Sequence, residues 1–170
     1  VRSATRTLAV ADQVAAQALA EFDADPQRLV VVPNGIDIAG WSAAVDAARA
    51  ADADAGRGTT DPVTIVTIGR LTDHKRQRLL VPALAALRDH PTRWRLLVIG
   101  DSLFDGDVRA AMTADIAAAG LTERVEFLGW RSDVAQLLAR ADIGVHPSGL
   151  EGWPLSVIEE MAAALPVVRS

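Results

Sequence analysis

Short apolar runs alternate with segments of helical periodicity along most of this 170-residue chain. The runs are rich in valine, isoleucine and leucine, and most of them end at a glycine or a polar turn. Such runs are typical of strands buried on both faces, and their alternation with helices predicts a parallel sheet covered by helices on both faces. The predicted strands are 28–32, 63–68, 94–99, 124–128, 142–146 and one that starts at 167. The predicted helices among the later strands are 76–89, 107–119, 132–140 and 154–164.

Proline, glycine and serine residues refine the ends of these helices. Pro82 lies inside the 76–89 segment, where it removes one backbone hydrogen bond from a helix. The helix therefore either begins near Leu80 or is kinked. A C-cap glycine, an N-cap serine and a first-turn proline are predicted for the other helices, at Gly120, Ser132 and Pro154.

The first third of the chain is less regular. Residues 3–22 alternate small apolar and polar residues at helical spacing, which predicts one amphipathic helix. The strand 28–32 runs into Pro33-Asn34-Gly35, and an Asn-Gly pair favours a turn because both residues tolerate positive φ. Residues 39–61 are rich in alanine, aspartate and glycine with little apolar periodicity, so we predict a loop with one helical turn, and this segment is the best candidate for disorder in the chain.

Composition narrows the class of protein. Half of the residues are hydrophobic, which is enough for one sizeable core, and the absence of cysteine excludes disulfides and thiolate zinc sites. A net charge of −5 argues against a nucleic-acid-binding surface. No apolar run approaches the roughly 20 residues of a membrane span, and residues 1–20 lack the apolar stretch of a signal peptide. We therefore expect a cytoplasmic α/β domain.

Unusual polar residues follow the predicted strands. Ligands of an open parallel sheet bind outside the carboxyl ends of its strands. The segments at those ends are Gly69–Lys75, Gly100–Leu103, Gly129–Arg131 and His146–Trp153. Besides glycines, they carry Arg70, His74, Lys75, Asp101, Trp130, Arg131, His146, Ser148 and Glu151. Topology alone therefore predicts a ligand site at this edge of the sheet.

Arg70 and Lys75, the only lysine of the chain, lie in one loop with His74 and Arg76. A diphosphate requires positive charge and several hydrogen-bond donors, which arginine supplies as a planar fork and lysine as a point charge. The loop is thus a candidate phosphate site. The alternative is a solvated basic loop that only connects a strand to a helix.

Glu151 and Glu159 are eight positions apart, and Gly152 and Pro154 place the first in a loop and the second inside a helix. Carboxylates accept hydrogen bonds from sugar and ribose hydroxyls, so the two could bind opposite ends of one ligand. The alternative is that Glu159 and Glu160 are surface residues that favour the helix. Backbone N–H groups at the helix start could also bind oxygens, namely those of Gly152, Trp153 and Leu155.

Other ligand classes have weaker support. The regular strands are not followed by Gly-x-Gly-x-x-Gly or by a Walker lysine, which argues against NAD and ATP. The three histidines, His74, His90 and His146, lack metal-ligand spacing, so the sequence predicts no metal site. His90 is expected at the surface, whereas His146 either lines the ligand site or packs in the core.

Several segments match, in order, the motifs of a known family: VVPNGID (31–37), IGRLTDHK (68–75), LLVIGD (96–101), VEFLGW (125–130), EGWPLSVIEEMA (151–162) and PVV (166–168). With these motifs the chain resembles the GT4-type (group 1) retaining glycosyltransferases of the GT-B fold. The resemblance covers residues 29–170 well and residues 1–28 loosely. It implies most of the C-terminal, Rossmann-like half of the fold, which binds the nucleotide-sugar donor.

The resemblance also implies roles for individual residues. Arg70 and Lys75 would neutralise the donor diphosphate, Glu151 would contact hydroxyls of the transferred sugar, and Glu159 would hold the ribose. With Glu151, the two cations form the implied catalytic set, because charge stabilisation on the leaving group is the main catalytic lever. No metal or other cofactor is implied. Further contacts to the donor are implied for Gly69, Gly129, Trp130, Arg131, Gly152, Trp153, Pro154 and Leu155, with 129–131 near the base.

The chain departs from the family pattern at a few positions. Arg76 and Ala164 stand where the family usually has glycine, and Trp153-Pro154 stands where Phe-Gly is commoner. Residues 1–28 are predicted to be a helical tail of the N-terminal acceptor domain, and residues 29–170 a C-terminal domain truncated at its end. We therefore expect the fragment alone to be inactive.

The resemblance implies partners that act through other parts of the enzyme. An acceptor glycan, lipid or small molecule would bind to the N-terminal domain, and the full-length protein could contact the inner face of the membrane during glycan biosynthesis. Two other functions remain open at this stage. One is a GT-B sugar-nucleotide epimerase (a GT-B phosphorylase would need a pyridoxal-binding lysine in another context), and the other a non-catalytic Rossmann-like nucleotide-binding domain.

Overall fold

The computed structural model describes residues 4–55, 61–102, 108–149 and 151–170. Parts of three predicted elements lie outside them: the start of the 3–22 helix, residues 56–60 of the predicted loop, and residue 107. Leu103 and Leu150, in two of the predicted ligand-edge segments, also lie outside. The helices and strands of the described residues are β1 (Thr7–Ala9), α1 (Asp12–Glu21), β2 (Leu29–Val31), α2 (Ile38–Ala55), β3 (Val63–Ile68), α3 (Leu80–Ala85), β4 (Trp94–Ile99), α4 (Val108–Ala118), β5 (Val125–Gly129), α5 (Val134–Ala139), β6 (Ile143–His146), α6 (Leu155–Ala162) and β7 (Val167–Arg169).

The predicted parallel sheet is confirmed as five strands in the order β5-β4-β3-β6-β7, with every neighbouring pair parallel. The chain runs outward from β3 through β4 to β5, and then crosses back to place β6 on the other side of β3. The strand order therefore reverses between β3 and β6. Ligands of open α/β sheets bind at such a switch point, outside the carboxyl ends of the strands.

Both faces of the sheet are covered, as the continuous apolar runs predict. On one face Ile65, Leu96 and Val98 pack in a cluster with buried residues of α3 and α4. On the other face Val66 and Leu97 pack with buried residues of α2 and α5. Because successive side chains of a strand point to opposite faces, a strand buried on both sides is apolar at most positions, and the polar exceptions in β3, Thr64 and Thr67, are buried threonines.

The predicted loop at 39–61 is wrong, because α2 spans Ile38–Ala55. Alanine has the highest helix propensity, and small residues allow close packing without a marked apolar stripe. Val45 is only 1% exposed, and Trp41, Ala44 and Ala48 pack partly buried beside it against the sheet. The helix is thus held by its tertiary contacts on a short apolar face, which weak periodicity concealed.

The single helix predicted over 3–22 is also wrong. Thr7–Ala9 form the strand β1, which pairs in parallel with Leu29–Val31, and only Asp12–Glu21 are helical. Ala9 is 2% exposed, and its carbonyl oxygen accepts a hydrogen bond from the backbone N–H of Val32. A strand partner distant in sequence therefore overrides the local helical pattern.

Local sequence predicts the start of one shorter helix correctly and that of another wrongly. After two single 3₁₀ turns, α3 begins at Leu80, so Pro82 falls in its first turn and the first of the two predicted alternatives is confirmed. Ser132 is not an N-cap, because α5 begins at Val134 after Asp133, and Asp133 makes no side-chain capping bond. The acid side chain instead pairs with Arg131.

The chain divides into two compact units, a larger one of Asp37–Leu150 with Ser156–Ser170 and a smaller one of Val1–Ile36 with Glu151–Leu155. The larger unit holds the five-stranded sheet, and the smaller unit holds β1, β2 and α1. The predicted domain boundary between residues 28 and 29 concerns the full-length protein and stays a prediction. None of the helices in the described part of the chain is long and apolar enough to cross a membrane. Cytoplasmic location and membrane contact likewise stay predictions.

Candidate functional site

Three glycines lie at the carboxyl ends of neighbouring strands, at the edge of the sheet where a ligand is predicted. The N–H of Gly69 donates to the carbonyl of Ile99 at 2.9 Å, and that of Gly100 donates to the carbonyl of Gly129 at 2.8 Å. Gly100 adopts φ +123°, and a Cβ on it would overlap the carbonyl oxygen of Gly69. Only glycine therefore permits this close approach of the backbones that end β3, β4 and β5.

The loop after β3 holds Arg70 and Lys75 in a defined conformation. Leu71 is fully buried and its N–H donates to the carbonyl of Asp101 at 3.1 Å, which anchors the loop on the end of β4. Lys75 folds back over the strand end, because its Cε lies 4.0 Å from the position of a Cβ on Gly69. Arg70 is exposed and Lys75 is half-buried. The structure thus places both predicted phosphate-binding residues in one anchored loop at the carboxyl end of the central strand, with the Lys75 side chain over the strand end.

Gln77 is a residue of this site that the sequence did not reveal. It is 2% exposed, and its Nε2 donates to the carbonyl of Arg70 at 2.9 Å. The same amide nitrogen lies 3.9 Å from the position of a Cβ on Gly69. Gln77 therefore fixes the backbone from which the Arg70 side chain extends. No sequence pattern distinguishes a buried amide of this kind from the polar residues that surround it.

The loops after β3 and β6 contact each other at the switch point. The N–H of Gly149 donates to the carbonyl of His74 at 3.3 Å. Arg76 adopts the left-handed conformation (φ 54°, ψ 26°), and its guanidinium lies against Gly149, where a Cβ would overlap it. The predicted convergence of these two segments is therefore confirmed within the larger unit.

The loop after β5 is partly neutralised by its own ion pair. Arg131 donates two hydrogen bonds to Asp133, at 2.7 and 2.6 Å, and these hold the pKa of the Asp133 carboxyl below its ordinary value. Trp130 is 59% exposed. Asp101, in the neighbouring loop, accepts hydrogen bonds from the N–H of Ser102 and from Arg109, and the Ser102 bond is the main cause of its lowered pKa. Asp101 is thus paired within the fold.

Glu159 and Glu160 differ sharply in environment, although they are adjacent on α6. Glu159 is half-buried, and burial followed by the charge of Glu160 raises its pKa. The carbonyl of Glu159 accepts a hydrogen bond from Nε1 of Trp41 at 3.0 Å, which attaches this turn of α6 to α2. Glu160 is completely buried, so the alternative that both glutamates are surface residues is wrong for Glu160.

His146 packs in the core rather than lining an open site. It is 7% exposed, and a hydrogen bond of 2.8 Å joins its Nε2 to Oε2 of Glu160. The other carboxylate oxygen of Glu160 is buried without a hydrogen-bond partner among the described residues. A Cβ on Gly144 would overlap this carboxylate. A polar pair is thus enclosed between β6 and α6. His90 is exposed, as predicted.

The predicted ligands Glu151–Leu155 belong to the smaller unit. The carbonyl of Glu151 accepts a hydrogen bond from Nε2 of Gln13 at 2.9 Å, and that of Trp153 accepts one from Nδ2 of Asn34 at 3.0 Å. Gln13 and Asn34 were not predicted for this role, since the Asn-Gly pair indicated only a turn. The functions implied for Glu151, Gly152, Trp153, Pro154 and Leu155 stay predictions. Among the residues that the structure describes, no three His, Cys, Asp or Glu side chains are grouped to hold a metal ion.

Comparisons with known proteins agree on one family. Residues 62–170 match the family described as Glycosyl transferases group 1. The D-inositol 3-phosphate glycosyltransferase of Kineococcus radiotolerans is 31% identical over 177 residues, covering 100% of this chain and 40% of the relative. The UDP-Gal:alpha-D-GlcNAc-diphosphoundecaprenol alpha-1,3-galactosyltransferase of Escherichia coli is 27% identical, covering 88% of this chain and 38% of the relative. The chain thus spans about two fifths of the length of these curated relatives.

A solved structure agrees with this comparison. The Anabaena protein HepE, crystallised in complex with UDP and glucose, superposes with a TM-score of 0.80 at 27% identity, covering 99% of this chain and 45% of that protein. The fold is therefore the Rossmann-like parallel sheet of the GT-B type, as the resemblance implied. The match to the group 1 family favours a transferase over the epimerase and over the non-catalytic binding domain.

Proposed function

Because this chain belongs to the group 1 glycosyltransferases, we propose that its larger unit binds the nucleotide-diphosphate sugar from which the enzyme transfers a sugar. The observation that carries the proposal is the loop after β3. The Lys75 side chain folds back over Gly69, the residue that directly precedes Arg70, at the switch point of the sheet. A fork-shaped donor and a compact ammonium group in one anchored loop match the needs of a diphosphate.

Glu159 is proposed to hold the ribose of the same donor. It lies on α6, the helix that follows β6, and it is half-buried. A carboxylate accepts two or more hydrogen bonds, and vicinal ribose hydroxyls supply two donors. Partial burial reduces competition from water for these bonds, and the same burial raises the pKa of the group.

The proposed chemistry is transfer with retention of anomeric configuration and without a bound metal. As the bond from the sugar to the diphosphate breaks, negative charge develops on the leaving phosphate oxygens. Arg70 and Lys75 stabilise that charge, and stabilisation that grows towards the transition state accelerates the reaction. The acceptor binds in the N-terminal domain of the full-length enzyme. On that enzyme, NMR of the product's anomeric proton tests retention, and turnover in EDTA tests metal independence.

The donor-binding proposal is tested by calorimetric titration with UDP and with uridine. UDP is the first probe because the Escherichia coli relative is a UDP-Gal-dependent enzyme by name and HepE was solved with UDP. GDP and ADP, each with its nucleoside, follow if UDP does not bind. The variants are Arg70→Ala and Lys75→Ala. Arg93→Ala is the matched control, since Arg93 is an exposed arginine before the amino end of β4, at the opposite edge.

Each site variant should weaken UDP by about 10- to 150-fold, the equivalent of roughly 1.5–3 kcal/mol for one charge-assisted hydrogen bond. The affinity for uridine should change by less than about twofold, because uridine lacks the phosphates that the two cations bind. Arg93→Ala should bind both ligands like the wild type. Equal losses for UDP and uridine would contradict the phosphate role. A wild-type protein that binds none of the three nucleoside diphosphates would contradict the proposed function itself.

A further inference from the structure

Arg76 occupies a strained backbone position in the loop that follows β3. Its backbone is left-handed, with φ 54° and ψ 26°, a conformation that glycine adopts freely and that arginine adopts at a cost in free energy. Arg76 also stands between the two 3₁₀ turns of the loop that carries Arg70 and Lys75. Backbone strain of this kind persists where the surrounding structure enforces it and is concentrated at functional sites.

The Arg76 side chain lies across the switch point. Its guanidinium is packed against Gly149 in the loop after β6, so closely that a Cβ on Gly149 would lie 2.6 Å from Nε of Arg76. Gly149 is in turn tied to the same loop by its hydrogen bond to the carbonyl of His74. The arginine is therefore directed along the gap between the ends of β3 and β6, rather than away from the sheet.

The guanidinium of Arg76 forms no ion pair within the described part of the chain. No carboxylate or carbonyl there accepts a hydrogen bond from its guanidinium, and the residue is exposed. The arginines Arg78, Arg109, Arg131 and Arg140, by contrast, each pair with an aspartate at 2.6–2.8 Å. The acidic residue of the same loop, Asp73, is exposed, and its charge acts on Arg78. An arginine held in strained backbone with an available fork has the properties of an anion-binding residue.

We propose that Arg76 is a third phosphate-binding residue of this chain, whose guanidinium binds an oxygen of the donor diphosphate from the side of the β6 loop. This inference rests on the proposed donor-binding function and adds a residue that the group 1 motif leaves unassigned. Arg76 discriminates a nucleoside diphosphate from a monophosphate, because its fork reaches a phosphate oxygen beyond those bound by Arg70 and Lys75.

The test compares Arg76→Gly, Arg76→Lys and the control Arg93→Gly in titrations with UDP, UMP and uridine at several salt concentrations. Arg76→Gly should lower the affinity for UDP about tenfold, the affinity for UMP by less, and the affinity for uridine by under twofold. The dependence of UDP affinity on salt should become shallower, because one fewer cation faces the ligand. Arg76→Lys should recover part of the loss, since it keeps the charge but not the fork. Arg93→Gly should match the wild type for all ligands.

The melting temperature separates binding from a purely structural role. Glycine adopts φ 54° without steric strain, so the Arg76→Gly variant should melt at or above the wild-type temperature. If Arg76→Gly melts lower and loses UDP and uridine equally, the arginine only bridges two loops and the inference is overturned. Wild-type UDP affinity in Arg76→Gly, together with a loss in Lys75→Ala, overturns the inference and leaves the proposed function intact. Unchanged affinity in both variants overturns the proposed function as well.

Discussion

Replacing His146 with leucine should lower the free energy of unfolding by about 3 kcal/mol, the upper end of the range for leaving a buried polar group without its hydrogen-bond partner. Glu160 is completely buried, and its Oε2 receives its 2.8 Å hydrogen bond from Nε2 of His146. Its Oε1 already lacks a partner among the described residues. Without His146, neither oxygen has a hydrogen-bond donor in that part of the chain, and the carboxylate remains enclosed.

The converse variant should be milder. Glu160→Met keeps an unbranched side chain of similar length, which matters because Gly144 leaves no room on that side. It leaves one buried imidazole nitrogen unsatisfied, at a cost of about 1–3 kcal/mol. The double variant His146→Leu/Glu160→Met removes both polar groups, and apolar replacement of a buried pair is often neutral or stabilising by about 1–4 kcal/mol. The double variant should therefore be about as stable as the wild type, with a coupling energy of roughly 3 kcal/mol or more.

The assay is urea unfolding followed by tryptophan fluorescence, with free energies obtained by linear extrapolation. Trp94, 6% exposed, and Trp41, bonded to the carbonyl of Glu159, both report on the larger unit that contains the pair. The control cycle combines His90→Leu with Glu123→Gln, two exposed positions, and should be additive to within about 0.5 kcal/mol. Additive losses in the His146 and Glu160 cycle, or a cost below about 1 kcal/mol for His146→Leu, would refute the reasoning.

Two further predictions use the same unfolding assay. The raised pKa of Glu159 means that the folded state holds a proton more tightly than the unfolded chain. The resulting stability is fully present below the unfolded pKa and is lost as pH rises through the folded pKa. Glu159→Gln should remove this loss of stability with rising pH, whereas the control Glu123→Gln should keep it. A pH profile of Glu159→Gln that matches the wild type would count against burial of Glu159 as the cause. Replacing Ala164, at φ 54°, with glycine should raise the free energy of unfolding by about 1 kcal/mol. Ala114→Gly, an exposed position inside α4, should lower it by about as much, and a loss at both positions would refute the strain argument.

The sheet was predictable from local sequence because its chemistry is local. The strands Val63–Ile68 and Trp94–Ile99 have the predicted bounds, since a strand buried on both faces is a predominantly apolar run that local sequence displays. The ligand edge followed from the same reasoning, because the carboxyl ends of parallel strands share one edge whatever the side chains are. The positions of Arg70 and Lys75 after β3 are direct consequences of that topology.

Elements whose stability comes from distant contacts were not predictable in the same way. The helix α2 has little apolar periodicity and is held by Val45 and its neighbours against the sheet. The strand β1 exists because Leu29–Val31, about twenty residues later, offers it a partner. In both cases the deciding free energy comes from surfaces that a window of sequence does not contain.

The polar residues divide along the same line. Sequence by itself determined the alternation of strands and helices, the edge of the sheet predicted to bind a ligand, and the loop that carries the two phosphate-binding candidates. Only the tertiary structure decided which of the adjacent glutamates is buried, that Gln77 fixes the backbone of Arg70, and that Arg76 lies on Gly149. Backbone pattern and strand order depend on the average hydrophobicity of a segment, whereas a single side chain's burial and partners depend on which other segments pack around it.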